Sequence, residues 1–269
     1  MTSGADTPAR PVLTDQAGAV RTIRFNRPDA MNALDTPTKV ALRDAVLTAA
    51  DDDEVRCVVL TGTGRAFCVG QDLREHIALQ QSRDPSLWRT VPEHYNPVAL
   101  ALATMPKPVV AAVNGVAAGA GAAFSFAADL RLVAESAGFN LAFTGVALSA
   151  DSGSSWWLPR LVGAARAKDL LLRPRTVGAR EALDIGLATE VVPDGDLAAR
   201  AAEVAEQLAA GPTVAYGAVR RAVAYSASHD LESSLANEGA LMDLTGGTAD
   251  HEAAVAAFLT KQRPEFTGR

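Results

Sequence analysis

The sequence has 269 residues, of which 48% are hydrophobic and 21% charged, a composition typical of a globular protein with a sizeable core. Its formal net charge of −6 argues against nucleic acid as the main partner, because phosphate binding needs clustered lysine and arginine. No apolar run is long enough to span a bilayer, so we expect no membrane partner.

Targeting and metal signals are missing from the sequence. Residues 1–10 (MTSGADTPAR) have no apolar signal core, and we expect a frayed terminus there. The two cysteines, Cys57 and Cys68, have neither metal spacing nor a secretory context, and the four histidines are scattered. The sequence therefore predicts a cytoplasmic protein without a metal site.

The first half of the chain predicts alternating strands and helices. PVLTD, the turn QAG and AVRTIRF predict a hairpin. A helix follows with Asp35 or Thr36 as its cap and Pro37 in its first turn. We expect the buried side of this helix to carry the apolar residues Val40, Leu42, Val46 and Leu47. VRCVVLTG and PVVAAVNG are continuous apolar runs, which are typical of strands buried on both faces.

The remaining segments divide the chain in two. Residues 76–95 have weak periodicity and predict a mobile surface segment, and RLVAES and FNLAF then predict further strands. Strands and helices in rotation indicate an α/β core over residues 1–195. Four amphipathic helical segments follow in residues 196–269, and we expect them to cover the site or to form a subunit interface.

Two glycine loops each follow a buried strand and lead into a helix. They are TGTGRAFCVGQDL (61–73) and NGVAAGAGAAF (114–124). Amides at such turns have no partner inside the helix and can donate to a negatively charged oxygen. The spacings do not match a dinucleotide fold, a P-loop or a serine hydrolase, so an oxyanion-type site remains, unless the glycines serve only tight turns.

A lone carboxylate marks the segment FNLAFTGVALSADSGSSWWLP (139–159), in which only Asp151 can carry a charge. Asp followed by Ser and Gly is ordinary turn chemistry. An acidic residue in apolar surroundings is also a candidate for chemistry, since carboxylates are rarely buried without a partner. Both interpretations stay open from the residues alone.

Four segments in order resemble the crotonase superfamily of enoyl-CoA hydratases and isomerases, over residues 12–269. They are FNRPDAMNAL (25–34), GTGRAFCVGQDL (62–73), KPVVAAVNGVAAGAG (107–121) and ADSGSSWWLPRLVG (150–163). The resemblance implies a ClpP-like spiral of repeated ββα units with a C-terminal helical region, assembled as a homotrimer or a dimer of trimers. GQDL, HYNP and the ending KQRPEFTGR are most similar to the ring-epoxide acyl-CoA isomerases of phenylacetate degradation.

The resemblance also implies an acyl-CoA site. The amides of Gln71 and Ala120 would hold the thioester oxygen, and Asp151 matches an acidic position of isomerase members. Residues implied in binding the substrate or its CoA are Arg27, Ala66, Gly70, Asp72, Phe143, Trp156, Phe258 and Lys261. We expect no cofactor apart from the CoA of the substrate.

Hydratases of the superfamily use two glutamates, and the matching positions here are Ala123 and Phe143. The resemblance therefore favours an isomerase with Asp151 as its single acid–base group over a hydratase. Phe143, Trp156 and Trp157 would raise the pKa of Asp151, unless they are plain core. The loop departs from relatives at Ala147 and Ala150, where they usually show Gly and Pro. The alternatives are an enoyl-CoA hydratase-like protein of other specificity, a non-catalytic acyl-CoA-binding trimer and a thioester hydrolase.

Overall fold

The computed structural model describes residues 10–269, so the predicted frayed terminus lies mostly outside the described residues. One sheet comprises Val12–Ala17 (β1), Val20–Phe25 (β2), Cys57–Gly62 (β3), Val109–Val113 (β5), Leu130–Ala134 (β7) and Glu190–Val192 (β10), adjacent in that order. β1 and β2 form the predicted antiparallel hairpin, and the other neighbours are parallel. β3 and β5 are buried along their whole length, as their apolar sequences predicted.

A second sheet comprises the short strands Ala66–Cys68 (β4), Val116–Ala118 (β6), Gly138–Asn140 (β8) and Thr176–Gly178 (β9), in that order. β4, β6 and β8 are parallel, and each follows a long strand of the first sheet after a few residues. The chain thus repeats a unit of one strand in each sheet followed by a helix. This is the predicted spiral of ββα units, and the two glycine loops occupy equivalent places in successive units.

The α-helices are Thr36–Asp51 (α1), Leu73–Gln81 (α2), Asn96–Thr104 (α3), Ala120–Phe126 (α4), Ser154–Val162 (α5), Ala164–Leu172 (α6), Ala179–Asp184 (α7), Leu197–Ala209 (α8), Thr213–Ser226 (α9), Leu231–Gly246 (α10) and Ala249–Thr260 (α11). Asp35 caps α1 through the amide of Thr38, and Asp72 caps α2. Both predicted helix starts are therefore confirmed.

Residues 76–95 lie mostly at the surface, as predicted, and they form short helical elements joined by a turn, while their mobility stays a prediction. α2 extends to Gln81, a 3-10 helix covers Pro85–Arg89, and one turn of π-helix covers Val91–Tyr95. Leu87 and Tyr95 are buried. Short elements of different pitch share no common period, which explains why the sequence pattern looked weak.

The buried side of α1 also differs from the prediction. Its buried residues include Lys39, which is 1% exposed, whereas the predicted Leu47 is 39% exposed. A lysine is buried only where a partner compensates its charge, and the partner of Lys39 is Glu75 in α2. A partner so distant in sequence is invisible to a helix-periodicity argument.

The run of consecutive helices begins at residue 197, next to the predicted boundary at 196, but its first helix, α8, packs into the core. α8 packs against β3, β5 and β7. The later helices expose the apolar side chains Val219, Val223, Leu231, Leu235, Met242, Phe258 and Leu259. The chain then turns back, and the amides of Thr267 and Gly268 donate to the buried carboxylate of Asp250. None of the helices in residues 10–269 combines the length and apolarity needed to cross a membrane.

Candidate active site

The two glycine loops, the start of α2 and the turn before α5 surround a cavity of about 590 Å³. The structure brings six of the predicted site residues to its wall: Arg27, Gln71, Asp72, Ala120, Phe143 and Asp151. Apolar side chains cover much of the remaining wall, among them Val69, Ala118, Val146 and Leu148. A mostly apolar cavity with a few converging polar groups is the usual form of a small-molecule site.

The first glycine loop aims the amide of Gln71 at the cavity. Leu34 pairs with this loop, because its amide donates to the Gly70 carbonyl at 2.8 Å and its carbonyl accepts from Asp72 at 3.1 Å. A trans peptide holds its C=O and N–H on opposite sides. Since the Gly70 carbonyl points to Leu34, the N–H of Gln71 in the same peptide points away from Leu34.

The second loop presents the amide of Ala120, the first residue of α4. The Gly119 carbonyl accepts from the Ala123 amide at 3.1 Å, so the Ala120 N–H points out of the helix start. Gly119 has φ of +50°, a conformation that favours glycine. Within residues 10–269, neither the Ala120 amide nor the Gln71 amide has a hydrogen-bond acceptor.

Glycine allows the two loops to touch. A β-carbon on Gly70 would lie 2.9 Å from the Ala118 oxygen and 3.2 Å from the Ala120 nitrogen. A β-carbon on Gly121 would lie 2.1 Å from the Cys68 oxygen. Two unpaired amides are thus held side by side on packed backbone, an arrangement that can stabilise one developing oxyanion.

Asp151 is half-buried and lies on the wall of the same cavity. It sits in a tight turn, in which Ser152 and Gly153 have φ of 54° and 81°. The Ser152 hydroxyl donates to Asp151 Oδ1 at 2.8 Å. Burial raises the pKa of the Asp151 carboxyl, and the bond from Ser152 offsets part of that rise. The turn and the cavity position therefore coexist, and the backbone turn is what aims the carboxylate.

The altered loop before Asp151 keeps a turn that suits glycine. Ala147 has φ of 58°, in the left-handed region, which costs about 1–2 kcal/mol for a residue with a β-carbon. The loop adopts this conformation with alanine in place, and its Val146 and Leu148 still line the cavity. Alanine in place of glycine at position 147 therefore does not remove this loop from the cavity wall.

Tyr95 is a cavity residue that sequence reasoning missed. It is 2% exposed, and its hydroxyl donates to Gln71 Oε1 at 2.7 Å. Burial raises the pKa of Tyr95 well above its usual value, and the nearby charge of Asp151 adds to the rise. The HYNP match contained this residue, but its place in the weakly periodic segment hid its role.

Three arginines, Arg27, Arg65 and Arg74, line the cavity. Arg27 pairs with Asp35 at 3.1 Å and with Asp72 at 3.0 Å, so it joins α1 to α2. The pKa of Asp72 is lowered, because bonds from Arg27 and from α2 amides outweigh the effect of burial. Arg65 and Arg74 also line the cavity, are exposed, and have no ion-pair partner within residues 10–269.

Five predicted binding residues are absent from the cavity wall: Ala66, Gly70, Trp156, Phe258 and Lys261. Ala66 is buried in β4, and Arg65, in the turn just before that strand, lines the cavity instead. Gly70 contributes backbone geometry. Trp156 and Trp157 line a separate cavity of about 910 Å³ beside α3. Phe258 lies in the last turn of α11 and is 82% exposed, and Lys261 follows the last residue of that helix.

The two positions that match the hydratase glutamates are apolar in different ways. Ala123 is fully buried inside α4, and Phe143 lines the cavity beside Gly119. Across residues 10–269, no cluster of His, Cys, Asp and Glu side chains is arranged to hold a metal ion. Asp151 is therefore the one ionisable side chain among the residues of the 142–151 wall.

Comparison with known proteins places the chain among acyl-CoA enzymes. Residues 15–269 match the family model described as Enoyl-CoA hydratase/isomerase. The 1,2-epoxyphenylacetyl-CoA isomerase of Escherichia coli is 38% identical, with 96% of this chain and 98% of the relative covered. A Rhodobacter capsulatus protein described as "Probable enoyl-CoA hydratase" is 44% identical, with 92% and 94% covered. The enoyl-CoA hydratase structure from Mycobacterium smegmatis has a TM-score of 0.88 and 31% identity, with 95% and 98% covered.

Proposed function

Because the chain belongs to the enoyl-CoA hydratase/isomerase family, we propose that it is an acyl-CoA isomerase that works through a thioester enolate. One observation carries this proposal: the Asp151 carboxylate shares a cavity with two amides that are unpaired within residues 10–269, while Ala123 and Phe143 occupy the hydratase positions. The other carboxylates of the cavity wall are Asp29 and Asp72, and Asp72 is paired with Arg27. Such a site can hold an enolate and move one proton, but it lacks the two glutamates that hydratases of the family use to activate water.

The proposed reaction uses two features of the cavity. The thioester oxygen accepts hydrogen bonds from the Gln71 and Ala120 amides, which stabilises the negative charge that forms when a proton leaves C2. Asp151 takes that proton and returns it to another carbon of the conjugated system, so the double bond moves and the electrons balance. A ring epoxide is a second substrate class, which the name of the Escherichia coli relative supports.

The exposed Arg65 and Arg74 are suited to the phosphates of CoA, because both lack a carboxylate partner among the described residues whereas Arg27 already has two. The reaction needs no separate cofactor, since CoA is part of the substrate. The free, buried cysteines Cys57 and Cys68 fit the cytoplasmic setting that is part of this proposal.

Water addition separates this proposal from the hydratase alternative, which the description of the Rhodobacter capsulatus relative favours. We expect hydration of crotonyl-CoA to stay near background, because neither Ala123 nor Phe143 can activate water. A panel of 3-enoyl-CoA, crotonyl-CoA and ring-epoxide acyl-CoA substrates, followed by thioester absorbance and product analysis, tests this. Efficient crotonyl-CoA hydration, or no turnover of the other two classes, would contradict the proposal.

A homotrimer or dimer of trimers is part of the same proposal. Phe258 and Lys261 lie outside the wall of the candidate-site cavity in the described residues, which supports a role for them at the acyl-CoA site of another copy. We expect light scattering to return three or six copies of the 27.9 kDa chain. Phe258→Asp should shift the mass towards monomer, because it places a charge on an apolar contact. Phe258→Leu keeps the apolar surface and is the control. A stable monomer for the unmodified protein at micromolar concentration would contradict the assembly.

A further inference from the structure

A chain of polar groups lies behind the Gln71 wall of the cavity. The Tyr95 hydroxyl donates to Gln71 Oε1 at 2.7 Å. The other end of that side chain, Nε2, faces the Asp72 carbonyl at 3.3 Å and Glu75 Oε2 at 3.4 Å. Glu75 Oε2 also accepts from the ammonium group of Lys39 at 2.9 Å. The chain therefore runs from the cavity to a buried ion pair.

The ion pair fixes the direction of every hydrogen in this chain. Lys39 is 1% exposed and can only donate. Burial raises the pKa of Glu75, but bonds from Lys39 and from the Thr36 amide outweigh it and lower the pKa overall, so Glu75 is ionised and only accepts. The NH2 end of Gln71 must therefore face Glu75, and its oxygen must face Tyr95.

We propose that Tyr95 is a positioning residue of the reaction: its only hydroxyl hydrogen is committed to Gln71, so only the lone pairs of its oxygen are left for the cavity that it shares with Asp151, and they make Asp151 a stronger base. This inference rests on the proposed function, because it assigns a partner to the acid–base group. A freely rotating hydroxyl would do the opposite, since it would turn its hydrogen towards the carboxylate and stabilise the ionised form.

Few ionisable groups near Asp151 compete with the effect of Tyr95 on its basicity. The loop 142–150 and the helices α3 and α4 carry no ionisable side chain. The short helix that ends at Tyr95 carries Glu93 and His94, and α5 carries only the exposed Arg160. The other charged or titratable groups on the cavity wall are Arg27, Asp29, Arg65, Asp72, Arg74 and His76. All of these groups are the same in the unmodified protein and in a Tyr95→Phe variant.

The test is Tyr95→Phe, which keeps the ring and removes only the hydroxyl. We expect the pKa on the acidic side of the kcat/KM profile to fall by about half a unit to one unit, with a several-fold lower plateau and little change in KM. Tyr225→Phe makes the same chemical change on α9, away from the cavity wall, and should leave the profile unchanged. A pKa that rises, or does not move, would overturn the inference.

A second measurement needs no turnover and separates the two proposals. The Asp151 carboxyl can be titrated by carbon-13 NMR in both proteins, with Asp151→Asn used to assign its signal. A lower pKa in Tyr95→Phe supports the lone-pair orientation even if no acyl-CoA is isomerised, in which case the proposed function alone fails. An unchanged or higher pKa in an active enzyme means that the Tyr95 inference alone fails.

Discussion

Replacing Asp151 with asparagine is expected to slow isomerisation of a 3-enoyl-CoA ~10²–10⁴-fold, the usual contribution of one positioned acid–base group. Asparagine preserves the shape of the side chain but has no basic oxygen to accept the C2 proton. Affinity for acyl-CoA should hardly change, because the amides of Gln71 and Ala120 are untouched. Steady-state kinetics and CoA-ester binding on both proteins provide the measurement.

The pH dependence of the unmodified enzyme gives an independent check. The proposed reaction needs the Asp151 carboxylate, so we expect kcat/KM to decline as the pH falls through the pKa of this group, which burial raises above its ordinary value. A raised folded-state pKa means that the charged form destabilises the folded protein near neutral pH. Asp151→Asn should therefore melt no lower than the original protein. Equal rates in the two proteins would rule out Asp151 as the base, and inactivity of both on every acyl-CoA would favour the binding-protein alternative.

The second large effect is expected from Ala120→Pro, which removes one amide hydrogen from the oxyanion site. Proline is tolerated in the first turn of a helix, where the amide has no helical partner, and the preceding Gly119 adapts to it. The ring also fills the space in front of the missing hydrogen. We expect kcat to fall ~10²–10³-fold, the cost of deleting one oxyanion donor.

Ala120→Gly is the matched control for this deletion, because it keeps the amide and removes only a methyl group. It should retain nearly full activity and lose at most about 1 kcal/mol of stability. Thermal melting of both variants shows whether the helix start survives. Retained activity in a folded Ala120→Pro protein would show that the Ala120 amide does not hold the thioester oxygen.

Backbone features of the site were accessible from the sequence. The strand before each glycine loop, the caps Asp35 and Asp72, and the turn at Asp151 follow from local residue patterns. These features need only short stretches of chain, and short-range patterns predict them. Local pattern predicted only that amides of these loops could donate to an oxygen, whereas the choice of Gln71 and Ala120 came from the family resemblance.

Side-chain partners could not be predicted in the same way. Lys39 is buried because it pairs with Glu75, which lies 36 residues away, and a helix pattern does not contain such a partner. Tyr95 lies in a segment without a common period. The resemblance pointed to Ala66, although the preceding residue, Arg65, is the one that lines the cavity. The resemblance implied a binding role for Trp156, but Trp156 in α5 lines another cavity. These errors arise where tertiary packing decides direction.

The close contact of the two glycine loops limits how this enzyme can diverge. At Gly70 and Gly121 a β-carbon would collide with backbone, so selection for a new substrate has no side chains to vary there. The 142–151 wall is different, because Gly145 has open space around it and Val146 and Leu148 line the cavity. Laboratory evolution towards other acyl chains should therefore accumulate its changes in residues 142–150, while the thioester half stays invariant.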